Sequence, residues 1–95
     1  MHLPQGKGLT PHEAMDIVTG TGEPPGVLYR RGDGEVYFLG LKADRRMWKQ
    51  RGFRFMGSVP AIRRRLAEAR ETGVRERSTA WYLLIDAEWQ SRVEG

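Results

Sequence analysis

The stretch GVLYRRGDGEVYFLGLK, Gly26 to Lys42, does most to limit what this chain can become. Two runs rich in Val, Leu, Tyr and Phe flank Gly32-Asp33-Gly34. Aromatic and β-branched side chains suit a pleated surface, and Gly and Asp are what a tight reversal selects. The stretch therefore predicts a β-hairpin, with strands over 27–31 and 35–42.

The flanking segments supply what the hairpin packs on. Phe53 and Phe55 alternate with Arg54 and Met56, a half-buried strand pattern that predicts a third strand over 52–57. Ser58 is suited to cap a helix and Pro60 to sit just inside it. Ile62, Leu66 and Ala69 fall at i, i+4 and i+7, and Gly73 ends the run, so a helix is expected over 60–72. Upstream, Thr10, Pro11 and Glu13 form a capping-box signature before Ala14, Met15, Ile17 and Val18, which places a short helix over 11–19. The C-terminal element over 79–92 reads two ways. Trp81, Ile85, Trp89 and Val93 recur every four residues as on a helix face, while AWYLLID also suits a buried strand. Ser78 as a cap, and Asp86, Ala87, Glu88 and Gln90 as poor strand residues, favour helix. ADRRMWKQ shows neither period and reads as a loop or one helical turn. The expected fold is α+β: a three-stranded antiparallel sheet against the 60–72 helix, with residues 1–9 a flexible arm and 10–95 a single small domain.

A chain of 95 residues buries about two thirds of the surface it exposes when unfolded, so its core is small. It has no cysteine, which removes disulfides, thiolate metal sites and a thiol nucleophile, and makes a cytoplasmic protein the simplest expectation. No run approaches the ~18 apolar residues of a membrane span, and the N-terminus lacks the apolar region of a signal peptide.

Charge is laid down unevenly. Between Lys42 and Arg65 lie nine Lys or Arg and one acid, Asp44, a balance of +8, so the remainder carries −4 to give the overall +4. Such asymmetry points to an anionic partner. Arg45, Arg46, Lys49 and Arg51 surround Trp48, a combination suited to pairing with phosphates and stacking on a base or a protein hot spot. Arg63, Arg64 and Arg65 open a helix, where positive charge opposes the dipole. Arg64 and Arg65 have Glu68 at helical spacing, which leaves Arg63 least matched and, beside the Ser58 cap, placed to hold a phosphate. The candidate partner-binding set is Lys42, Arg45, Arg46, Trp48, Lys49, Arg51, Arg54, Arg63 and Arg64.

Within this region RGFRFMGS resembles the RNP1 submotif of the RNA-recognition-motif family, and VYFLGL resembles its RNP2 partner. The family places a helix and a further strand, roughly thirty residues, between the two motifs. Only the nine residues 42–50 separate them here, and Arg54 and Ser58 stand where a small residue and an aromatic belong, so membership is excluded. Phe53 and Phe55, on one strand face, are then expected in the core, the alternative being strand aromatics beside a basic rim on which bases stack.

No metal-ligand spacing and no catalytic triad is present with only His2 and His12 and scattered carboxylates. Arg31-Gly32-Asp33 spells an integrin-binding tripeptide but sits where turn chemistry alone selects Gly and Asp. The expectation is a small non-catalytic protein, without cofactor or metal, that binds DNA or RNA through its basic patch. The alternative is an interaction module, such as a phage or mobile-element inhibitor or adaptor, docking on an acidic protein surface. Trp81, Ile85 and Trp89 would serve a homodimer or a neighbouring subunit.

Overall fold

A computed structural model describes residues 8–22, 26–73 and 79–94, with side chains up to residue 86 in the last segment. Helix α1 (Pro11–Thr19) precedes the hairpin strands β1 (Val27–Arg31) and β2 (Tyr37–Gly40). A 3-10 turn (Lys42–Asp44) leads into the short helix α2 (Arg45–Gln50), followed by β3 (Phe53–Ser58), α3 (Val59–Thr72) and α4 (Thr79–Glu94). The sheet is antiparallel in the order β2-β1-β3. This is the expected α+β arrangement, with the C-terminal element a helix.

Local chemistry explains the elements. Thr10 Oγ1 accepts from Glu13 N at 3.1 Å and Glu13 Oε1 accepts from Thr10 N at 3.1 Å, completing the capping box of α1. Ser58 caps α3 through Ala61 N, and Ile62, Leu66 and Ala69 are buried along one face. β2 is shorter than expected because residues 32–36 form the loop, where Gly34 N bonds Arg31 O at 2.8 Å and Asp33 Oδ1 accepts from Glu35 N at 3.0 Å. Leu9, expected within the arm, exchanges two 2.8 Å backbone hydrogen bonds with Tyr37 on the outer edge of β2; residues 1–7 lie outside the described residues.

A two-stranded hairpin is marginal in water, and here both sheet faces are covered. On one face Leu28, Tyr37 and Met56 meet Ala14 and Val18 of α1, Ile62, Leu66 and Ala69 of α3, and Ala80 and Leu83 of α4. On the other, Val27, Tyr29 and Phe53 close around Trp48 of α2, with Phe38, Met47 and Phe55 partly buried against them. A bulge keeps both faces in register. Leu28 pairs with Gly57 and Tyr29 with Phe55, so Met56 is an extra residue, buried to 3% exposure, followed by Gly57 at φ 122°.

The α4 face that packs inward is not the stripe of Trp81 and Ile85. Ala80, Leu83 and Asp86 turn inward, while Trp81 is half-buried and Ile85 is 42% exposed. The reason is polar. Arg30 of β1 grips Asp86 with Nε on Oδ2 and with Nη2 on Oδ1 at 2.9 Å; Tyr37 donates its hydroxyl to the same carboxylate, and Arg30 Nη1 reaches Gly32 O at 3.1 Å. Both charged residues are 7% exposed. A bidentate, fully hydrogen-bonded pair is the form in which a buried charge is tolerated, and it fixes the rotation of α4. Trp89 lies outside the residues whose side chains are described.

Gly34 belongs to this lock. It sits at φ 77°, and a Cβ there would fall against Asp86 Oδ1 and within 2.6 Å of Arg30 Nη2.

Removing one partner strands the other charge, so Asp86→Ala is expected to lower the unfolding free energy by about 3–5 kcal/mol in urea titrations. The triple change Arg30→Met, Tyr37→Phe, Asp86→Leu recovers most of that loss, because no polar group is then left unpaired.

Burial first, then the hydrogen bond to Asp86, raise the Tyr37 hydroxyl well above its ordinary pKa of 10.0. The folded value is the higher one, so its contribution to stability is complete below pH about 10 and fades as pH climbs beyond it. Phenolate absorbance should therefore rise together with loss of ellipticity in an alkaline titration, and Tyr37→Phe should shrink that shared step.

Candidate basic and aromatic interface

The 3-10 turn and α2 carry the densest positive charge, and one apolar anchor decides how it is presented. Trp48 is wholly buried; its ring stacks on Tyr29 at 5.1 Å and 25°, lies 5.0 Å from Phe38 and meets Phe53 edge-on at 4.9 Å. Such rings contribute area burial plus about 0.5–1.5 kcal/mol per aromatic pair. Trp48 therefore belongs to the core, and its expected place on the binding surface is corrected. Gly40 permits the approach: a Cβ there would stand 3.0 Å from Trp48 Nε1, which has no hydrogen-bond partner among the described residues. Two adjacent large apolar residues in an otherwise charged helical turn were the signal for such an anchor.

With Trp48 and Met47 turned to the sheet, the cations of α2 face out. Lys42, Arg45, Arg46, Lys49, Arg51, Arg54 and Arg64 are all exposed. Among the described residues the ion pairs are Arg30–Asp86, Arg31–Asp33 and Arg31–Glu35, so none of these seven has a carboxylate partner there. Arg45 and Lys49, one turn apart, join Arg54, Phe53 and Phe55 around a cleft of about 250 Å³ between α2 and β3. The Arg45 guanidinium lies 4.4 Å from the centre of the Phe55 ring, and that of Arg54 lies 4.2 Å from the ring of Tyr82. Phe53, at 9% exposure, is largely core as expected, whereas Phe55 is half-buried and lines the cleft.

Arg63 leaves the candidate set. Its Nε donates to Val18 O at 2.8 Å and its Nη2 to Ile17 O at 3.0 Å and to Gly22 O, so it caps the carbonyl end of α1. Backbone carbonyls at a helix C-terminus want such a cation, and they lie too far along the chain for sequence spacing to show. The ion pairs expected from Arg64 and Arg65 to Glu68 are not formed; Arg65 donates instead to Thr79 Oγ1 at 3.2 Å and to Met56 O at 3.5 Å. Arg64 stays exposed on α3, while Lys42, Arg46 and Arg51 lie outside the cleft lining.

The hairpin-tip tripeptide is accounted for by turn chemistry: Arg31 pairs with Asp33 at 2.7 Å and with Glu35 at 3.0 Å, and that pairing lowers the Asp33 carboxyl below its usual range. Among the described residues no three His, Asp or Glu side chains gather as metal ligands would, and no helix is long and apolar enough to cross a membrane. The chain matches no family model, no curated protein and no solved structure.

The core and surface roles are separable by mutation. Trp48→Ala is expected to cost about 3–5 kcal/mol in chemical denaturation. Arg45→Gln and Lys49→Gln, which remove mutual repulsion along with one ring contact, should each stay within about 1 kcal/mol of the parent.

Proposed function

We propose that this protein is a non-catalytic, cytoplasmic nucleic-acid-binding protein whose contact surface is the exposed face of α2 together with the cleft it forms with β3. The observation that carries this reading is the convergence of Arg45 and Lys49, without carboxylate partners among the described residues, on a cleft lined by Phe53 and Phe55; Arg54 borders the cleft but turns its guanidinium to Tyr82 of α4. Like charges brought together repel, and phosphates relieve that repulsion while releasing the counterions that nucleic acid condenses. Lys42, Arg46 and Arg51, exposed in the same segment, extend the track; Arg64 adds a further cation from α3.

An acidic protein surface would also satisfy the cations. Both readings give Trp48 an outward role, as a ring for a base or as an interface anchor, and the indole is fully buried. Half-buried Phe55 still offers a ring to a base, and the protein reading is left with charge alone.

Fluorescence anisotropy with mixed-sequence DNA and RNA tests the proposal. The logarithm of the association constant should fall linearly with the logarithm of salt, with a slope of about −2 to −3 if three phosphates are engaged. Each of Arg45→Gln and Lys49→Gln should make that slope shallower by about 1 and weaken binding to all sequences alike. No binding at low salt, or stoichiometric co-purification with an acidic protein in its place, overturns it.

A further inference from the structure

Resting on the nucleic-acid reading, we propose that the ligand is a single strand, one of whose unpaired bases stacks on Phe55 in the cleft while Arg45 and Lys49 pair with the flanking phosphates.

The densest positive charge among the described elements sits on a short helix held against the sheet, with Arg64 exposed on α3. Reading a duplex takes a helix or a two-stranded ribbon entering a groove about 12 Å wide. α2 is six residues long and is held against the sheet by Trp48, at 0% exposure, and by Met47. The ribbon of the fold, β1–β2, ends in a tip where Asp33 and Glu35 share Arg31, so its end carries two carboxylates against one guanidinium. Arg63 of α3 is turned onto α1.

What the chain does offer is a ring inside a cationic recess. In a duplex the base faces are covered by their neighbours, and an aromatic ring finds only edges; in a single strand every base presents a face, whatever its identity. The Phe55 ring is held in place beforehand: its edge packs on Tyr29 at 5.8 Å, and Tyr29 stacks on Trp48. Little freedom remains to be lost when a base arrives. Arg45 covers the ring in the unbound protein. A base replaces that cation–π contact with stacking, and the displaced guanidinium is then one side chain away from a phosphate.

The test compares labelled oligothymidylate and oligouridylate of about a dozen nucleotides, within the span of known single-strand sites, with a duplex carrying the same number of phosphates per strand. Expected is single-strand binding about tenfold or more tighter than duplex, reduced about tenfold by Phe55→Leu and retained by Phe55→Tyr, with duplex affinity falling less than single-strand affinity in Phe55→Leu. Ultraviolet cross-linking of oligouridylate to the unaltered protein, followed by peptide mass spectrometry, should place the adduct on the peptide carrying Phe53 and Phe55, and this arm does not depend on any variant folding. Equal or tighter duplex binding that ignores Phe55→Leu, or adducts confined to other peptides, overturns the single-strand inference and leaves nucleic-acid binding standing. Failure of both strands and duplex to bind at low salt overturns the two together.

Discussion

Arg30 and Asp86 stand 56 residues apart in the chain, and their bidentate contact joins the central strand of the sheet to the last helix. Both are 7% exposed, so neither charge is tolerable without the other. Tyr37 adds its hydroxyl from β2, which ties the second strand to the same carboxylate. Gly34 leaves the space that the pair occupies. One polar cluster thus sets the rotation of α4, the path of the hairpin loop and the register in which Ala80 and Leu83 reach the helix-covered core. Apolar packing would accept α4 in several rotations; the carboxylate accepts one.

The opposite sheet face is organised by a ring cluster. Tyr29, Phe38 and Phe53 are close to Trp48 from three strands, and each contact is short and partly directional. Since α2 is only six residues long, it has no independent helical stability, and its position follows from Trp48. The cations around Trp48 inherit that position. A core residue therefore determines where the positive surface lies.

The elements legible from sequence were those with local signals: the α1 capping box, the hairpin with its Gly-Asp-Gly turn, the Ser58 cap and the i, i+4, i+7 face of α3. Each rests on residues within a few positions of one another. The misread features depend on partners far along the chain. Trp48 read as surface because its neighbours are charged, and the rings that bury it come from positions 29, 38 and 53. Arg63 read as unmatched because its acceptors are carbonyls at 17, 18 and 22, which no side-chain pattern reveals. The inward face of α4 carries Asp86, a charged residue no periodicity argument would bury, while Ile85 of the apolar stripe is exposed. Of the cleft, Arg45 and Lys49 were legible as cations, but their convergence with Phe55 needed the sheet.

The arginines consequently divide into two populations that composition cannot separate. Arg30, Arg31, Arg63 and Arg65 are bound to carboxylates, backbone carbonyls or a hydroxyl of the fold. Arg45, Arg46, Arg51, Arg54 and Arg64 are exposed, and no described carboxylate pairs with them. Among the described acids, Asp86, Asp33 and Glu35 pair with the first population and Glu13 caps α1, while Asp16, Asp44, Glu68 and Glu71 are in none of these ion pairs. Surface ion pairs are worth little to stability, so the fold loses almost nothing by leaving the second population unmatched. The result is positive charge, without carboxylate partners among the described residues, beside a cleft lined by Phe53 and Phe55.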